Sequence, residues 1–291
     1  MGIVELASVP ANADPSTILT RWPFDPVTIL FLLAAGSVYG AGLRRVAGRG
    51  QPHPRSFAIA FYAGLASLAL VLGSPLETYA DVSFGVHMAQ HLLLTLLAPP
   101  LLALGAPVTL ALRASKPELA RRLTRALRSR IAAALSNPVV GWALFVGVAY
   151  SVHLSRLFDT ALRNDSVHAS EHAVWLGAAL LFWWPIVGRD PSPHPMSYPA
   201  RLLSLFLVMP AMSFLALTIY SARRPLNQAY ASLPAPWGPN ALTDQHGAAV
   251  MMWLVGNLAL VVAAAWKRDE DARQRRIEAR ELSDLPRPAS P

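Results

Sequence analysis

The chain has 291 residues, of which 54% are hydrophobic and only 14% charged, with a mean hydropathy of +0.37; an average soluble domain carries about 25% charged residues, so this is the composition of a membrane protein. A formal charge of +8 raises nucleic acid as a partner, but the arginines lie in short segments between apolar runs and no basic face is interleaved with aromatics, which argues against it. The absence of cysteine excludes disulfides, thiolate metal ligands and a cysteine nucleophile.

Taken in order, residues 1–26 show no basic start followed by an apolar core, so no cleavable signal peptide is expected and the stretch reads as an extracytoplasmic N-terminal segment. From 27 to 266 the chain yields seven predicted spans, near 27–43, 57–73, 84–105, 138–158, 168–188, 200–220 and 245–266, each close to the ~20 apolar residues a bilayer core requires. The third runs through Pro99 and Pro100, which cannot donate backbone hydrogen bonds, so a bend is expected there. Residues 267–291 form a charged tail. Of the 25 Lys and Arg residues, 20 fall in alternate loops and the tail, which places the N-terminus outside and the C-terminus in the cytoplasm. The predicted fold is thus an all-α, seven-transmembrane-helix bundle in contact with lipid. Trp22, Trp142, Trp183, Trp184, Trp237 and Trp266 fall near span ends and read as interfacial anchors. Gly141, Gly147, Gly177 and Ala178 leave room for close helix packing, within one bundle or in a homo-oligomer.

Six of the eight histidines fall near the outer boundary of this topology. His87 and His91, four apart, share a face of span three. His153 ends span four, His168 and His172 open span five, and His246 opens span seven. His53 and His194 lie in cytoplasmic loops beside prolines and read as solvated. A lone imidazole at a helix end is ordinarily an interfacial or hydrogen-bonded residue. Two pairs at four-residue spacing and a third helix at the same depth point instead to metal, haem or proton chemistry, because polar rings inside apolar runs need partners. Imidazoles suit copper, zinc, iron or nickel, and two axial histidines would also suit a b-type haem. Glu171 and Asp244 are candidates for carboxylates that orient an imidazole from behind, or for simple helix N-terminal acids. Met209, Met212, Met251 and Met252 read as core filler, and Met88 projects about 100° away from His87. No nucleophile–base spacing, phosphate-cradling loop or carboxylate pair is evident, so binding and transfer are expected in place of enzyme catalysis. Protonating the imidazoles should weaken metal binding as pH falls through roughly 6.5.

The strings HMAQHLLLTLLAPPLLALGAP (87–107), HLSRLFDTAL with HASEH and FWWP (153–185), and DQHGAAVMMW (244–253) resemble the CtaG-type cytochrome c oxidase assembly factors, a seven-helix family. The likeness runs from Trp22 to Trp253. It implies a copper-handling assembly factor that takes copper from an extracytoplasmic donor and helps mature the CuB centre of a haem-copper cytochrome c oxidase subunit at the outer face of a bacterial plasma membrane. His87, His91, His153, His168 and His172 match the family's recurring histidines, and Asp244, Gln245, Met252 and Trp253 its last motif. His246 departs from the pattern.

Overall fold

The computed structural model describes residues 22, 25–232 and 239–283. Arg21, Trp237, most of the expected N-terminal segment and the last eight residues of the tail lie outside them. The described residues contain helices and no strands. Five helical stretches are long and apolar enough to cross a bilayer: Pro26–Gly48, Arg55–Gly73, Phe84–Ala114, Tyr198–Ser221 and Ala241–Arg268. Two other helices lie over predicted spans four and five but are not among those five. Pro138–Leu154 is a shorter apolar helix. Asp165–Val187 has the length, 23 residues, but carries His168, Glu171 and His172 in its first turns.

Local chemistry sets the ends. The first helix, α1 (Pro26–Gly48), starts where Asp25 accepts from the amides of Val27 and Thr28, with Pro26 supplying a preset φ at the first position. It then continues past the predicted end at 43, because Arg44 and Arg45 extend a helix that apolarity alone would stop. After α2 (Arg55–Gly73), the short α3 (Pro75–Ala80) leads directly into α4 (Phe84–Leu92). Asn164 caps α11 (Asp165–Val187), three residues before the predicted start, and so draws His168 a turn inward. α11 stops at Gly188, whose φ of +63° favours glycine. The last helix, α14 (Ala241–Ser283), runs unbroken across the expected boundary at 267.

The expected bend in span three takes a specific form. After α4 the chain widens into a π-helical turn, Leu93–Leu97, before α5 (Ala98–Leu104). Pro99 has no N–H to offer the Thr95 carbonyl one turn back. The indole of Trp183 donates to that oxygen instead, at 2.8 Å, so this tryptophan, buried at 3% exposure, is not an interfacial anchor as its sequence position suggested. Beyond α5, Ala106 adopts a left-handed φ of 47° and starts α6 (Pro107–Ala114), whose first amides are capped by Asp190.

His53 also departs from expectation. It is buried, with Nε2 hydrogen bonded at 3.0 Å to the Gly105 carbonyl, which also accepts from Tyr39 at 2.8 Å. The kink at Ala106 turns that carbonyl out of the helix ladder, and the two side chains take it up. His194 is exposed, as predicted.

Candidate metal centre

Four elements deliver the histidine end. α4 starts at Ser83, and its first amides are capped from another helix: Asp244 accepts from Phe84 N at 2.7 Å, Gly85 N at 3.2 Å and the Ser83 hydroxyl. Gly85 is needed for this contact, since a Cβ there would stand 2.7 Å from Asp244 Oδ1. Of the two sequence readings of Asp244, a carboxylate behind an imidazole or a helix N-terminal acid, the second holds: it lies in the first turn of α14 and also anchors the helix that carries His87 and His91. α9 (Pro138–Leu154) brings His153 in its last turn, and α11 brings His168, Glu171 and His172. These two helices cross closely at Gly141, where a Cβ would meet the Leu181 carbonyl at 2.7 Å. α13 (Gln228–Ala231) adds Tyr230.

All five imidazoles are buried and converge. Ring centroids are 4.3 Å apart for His168–His172, 4.4 Å for His87–His91, 5.4 Å for His87–His168 and 5.8 Å for His91–His153. The nearest approach is His87 Nε2 to His91 Nε2, 2.9 Å. Two bonds of about 2.0 Å from neighbouring positions on one ion place their nitrogens about 2.8–3.3 Å apart, so this pair is already at chelating distance. Two triplets, His87–His168–His172 and His87–His91–Glu171, hold one ligand atom each within 4.8 Å of the others.

Hydrogen bonds fix the tautomers of two rings. The Tyr230 hydroxyl spends its single proton on the Ala80 carbonyl at 2.5 Å, so at 3.1 Å it accepts from His87 Nδ1–H, leaving Nε2 with the lone pair. His153 Nδ1 faces the Ala149 carbonyl at 2.8 Å, which can only accept; its Nε2 is therefore also a free lone pair. A partner behind a ring that sets the ligating nitrogen is the usual arrangement at metal-binding histidines.

What remains unpaired is informative. His91 Nδ1, His153 Nε2, His168 Nε2, His172 Nε2 and both oxygens of Glu171 are buried without hydrogen-bond partners. From sequence Glu171 reads either as a carboxylate behind the imidazoles or as a helix N-terminal acid. It lies among them, with Oε1 3.4 Å from His91 Nε2 but outside hydrogen-bond geometry. A buried carboxylate without partners is costly unless a cation neutralises it. The atoms present therefore fit a metal ion.

His246 is not in this group. Its Nε2 contacts the Ala222 carbonyl at 3.3 Å and its ring lies beside Tyr220. Neighbouring Gln245 is a clamp, accepting from Leu226 N and donating to the Ile219 carbonyl. Glu77, Gln90 and Tyr230 join the site unannounced. Glu77 Oε1 lies 3.7 Å from His168 Nδ1, and Gln90 donates to Glu77 and, at 3.0 Å, to the Val71 carbonyl. Burial pushes the Glu77 carboxyl up to about 8, against the opposing pull of the Gln90 hydrogen bond. A signal for Glu77 existed: only ten residues separate spans two and three, too few to carry a carboxylate away from the histidine end. Tyr230, 143 residues after His87, gave none.

Residues 37–267 match the family described as cytochrome c oxidase caa3 assembly factor (Caa3_CtaG). The chain belongs to this family. With several helices long and apolar enough to cross a bilayer, it is a multi-pass membrane protein. It is 35% identical over 286 residues to a protein of Mycobacterium bovis described as uncharacterized, covering 94% of this chain and 43% of that one. A counterpart from Mycobacterium leprae, also described as uncharacterized, is 34% identical over 271 residues, 90% of this chain and 41% of the relative. The chain thus spans about two fifths of the length of the curated relatives it matches. No solved structure matches it.

Proposed function

We propose that this assembly factor binds copper in the imidazole–carboxylate cluster and passes it by ligand exchange to a haem-copper oxidase subunit during maturation of the CuB centre. The observation that carries this reading is the convergence of buried ligand atoms, His87, His168 and His172 in one group and His87, His91 and Glu171 in another, each within 4.8 Å, with a Glu171 carboxylate that accepts no hydrogen bond. Imidazole-rich ligation suits copper, and the oxidase that the family serves is the recipient. The proposed topology is seven spans with the N-terminus outside, based on the Lys and Arg distribution. That puts the cluster at the extracytoplasmic end, facing an extracytoplasmic copper donor. Release requires only competing ligands, so no covalent chemistry is assigned.

The geometry favours a single ion over the alternative of a bis-histidine haem. A porphyrin needs a slot between its two axial rings, whereas the cavity between His91 and His153 among the described residues holds about 40 Å³. Metal analysis of detergent-purified protein, wild type against His87→Ala/His91→Ala/His153→Ala/His172→Ala, tests the proposal. Stoichiometric copper in the wild type, absent from the variant, is the expected result. Equal metal in both, or a Soret band with sharp α-bands in the reduced-minus-oxidised spectrum, would overturn it.

A further inference from the structure

Deeper than the His87–His168–His172 group lies the cavity just mentioned. His91 and His153 form its roof, and Met88, Met212 and Met252 come to it from α4, from α12 (Tyr198–Ser221) and from α14. Three helices far apart in sequence each contribute a thioether to a cavity of about 40 Å³. Both roof residues are 3% exposed, and each has one ring nitrogen without a partner. In His153 this is Nε2, held as a lone pair by the Ala149 carbonyl behind it. In His91 it is Nδ1, the nitrogen not turned toward His87 and Glu171.

We propose that this cavity is a second copper site, selective for the cuprous ion, with His91, His153 and the three methionines as its ligand set. The inference rests on the copper reading above and adds a separate, softer site beneath the first. Thioether sulfur is a soft, neutral donor that selects Cu(I) over the harder divalent ions. The remaining wall is mainly apolar, including Trp175 and Phe145. Desolvating an ion there costs about fourfold less for one charge than for two, because the penalty grows as the square of the charge. The volume admits an ion with on the order of two or three waters, not a complete hydration shell. His91 presents Nε2 to the upper group and Nδ1 to the cavity. A neutral imidazole has one lone pair, so it serves one site at a time. Copper can therefore step between the two by a change of His91 tautomer, with no change in oxidation state.

The test loads the detergent-solubilised full chain with cuprous copper under anaerobic conditions and reads its neighbours by X-ray absorption. Sulfur scatterers near about 2.3 Å are expected in the wild type. Met88→Leu/Met212→Leu/Met252→Leu, a volume-conserving change that leaves the fold intact, should lose the sulfur signal and about one equivalent of copper. His168→Ala/His172→Ala should keep the sulfur-ligated ion while losing copper from the upper group. A wild type with nitrogen and oxygen neighbours only, or a triple-leucine variant with copper content and scattering unchanged, would overturn the cuprous site. Copper content unchanged in the His168/His172 variant would count against the upper cluster alone.

Discussion

Both ends of the bundle bury histidine, and they treat it in opposite ways. At one end His53 and Tyr39 share the Gly105 carbonyl, and Asp190 is occupied by two backbone amides. One imidazole nitrogen, His53 Nδ1, is left over there. At the other end four imidazole nitrogens and both oxygens of Glu171 have no partner. Burial and residue type are alike; satisfaction differs. The first end is a structural joint holding a kink. The second leaves its atoms open for the proposed metal, and the tautomers set by Tyr230 and the Ala149 carbonyl turn lone pairs toward it.

The comparison can be broken by substitution. The largest effect is expected at Glu171: Glu171→Gln should lower copper affinity ten- to hundredfold while leaving the apo melting temperature unchanged or higher, since an unpaired buried charge is removed. Copper titration and thermal melting of the same preparation would check both. A drop in melting temperature with copper retained would make the cluster structural, like the His53 end. Next, Asp244→Ala removes the acceptor for two α4 amides and the Ser83 hydroxyl, at a cost of about 1–2 kcal/mol. By loosening α4 it should weaken copper binding as well, and Gly85→Ala should do the same through the 2.7 Å clash. Asp190→Ala, the matching cap at the other end, should cost about 1 kcal/mol and leave copper untouched. His246→Ala should change copper content not at all, in the same metal analysis used for the four-histidine variant.

The smallest effect sharpens the contrast through pH. Burial, helped by the nearby charge of Asp165, pushes the Asp81 carboxyl up to about 6. An acid raised on folding holds its proton in the native state after the unfolded chain has lost it. Its contribution therefore stabilises the fold below the ordinary aspartate range and is lost as pH rises to about 6. Asp81→Asn should flatten that slope in melts taken between pH 4 and 7, without altering metal binding.

Helix positions and the depth of each histidine were legible because apolar run length and four-residue spacing act within one helix. Azimuth between helices was not. His246 and His172 lie at similar predicted depth, yet one faces Tyr220 and the other the cluster, a difference set by how α14 packs on α12 and α4. Met88 illustrates the same limit: its 100° offset from His87 removes it from that ring's ligand set but turns it to the cavity that His91 also lines. Trp183 and His53 were misread for a related reason. Each answers a backbone group freed by a break in span three, and a partner for a broken ladder cannot be found from hydropathy. Asp244 was recognised as important, but the helix it caps follows from packing alone.

The wide turn at Leu93–Leu97 has a consequence for how this protein can change. Such a turn holds one residue more than the regular helix needs, in effect an accommodated insertion. Because the extra residue is taken up inside the wide turn, the helix before it and the helix after it keep nearly the phase of an uninterrupted α-helix. Deleting one residue there should close the turn and leave His87 and His91 facing α11. A second deletion, with no wide turn left to absorb it, would rotate the histidine pair by about 100° against Pro99 and the Gly105 kink.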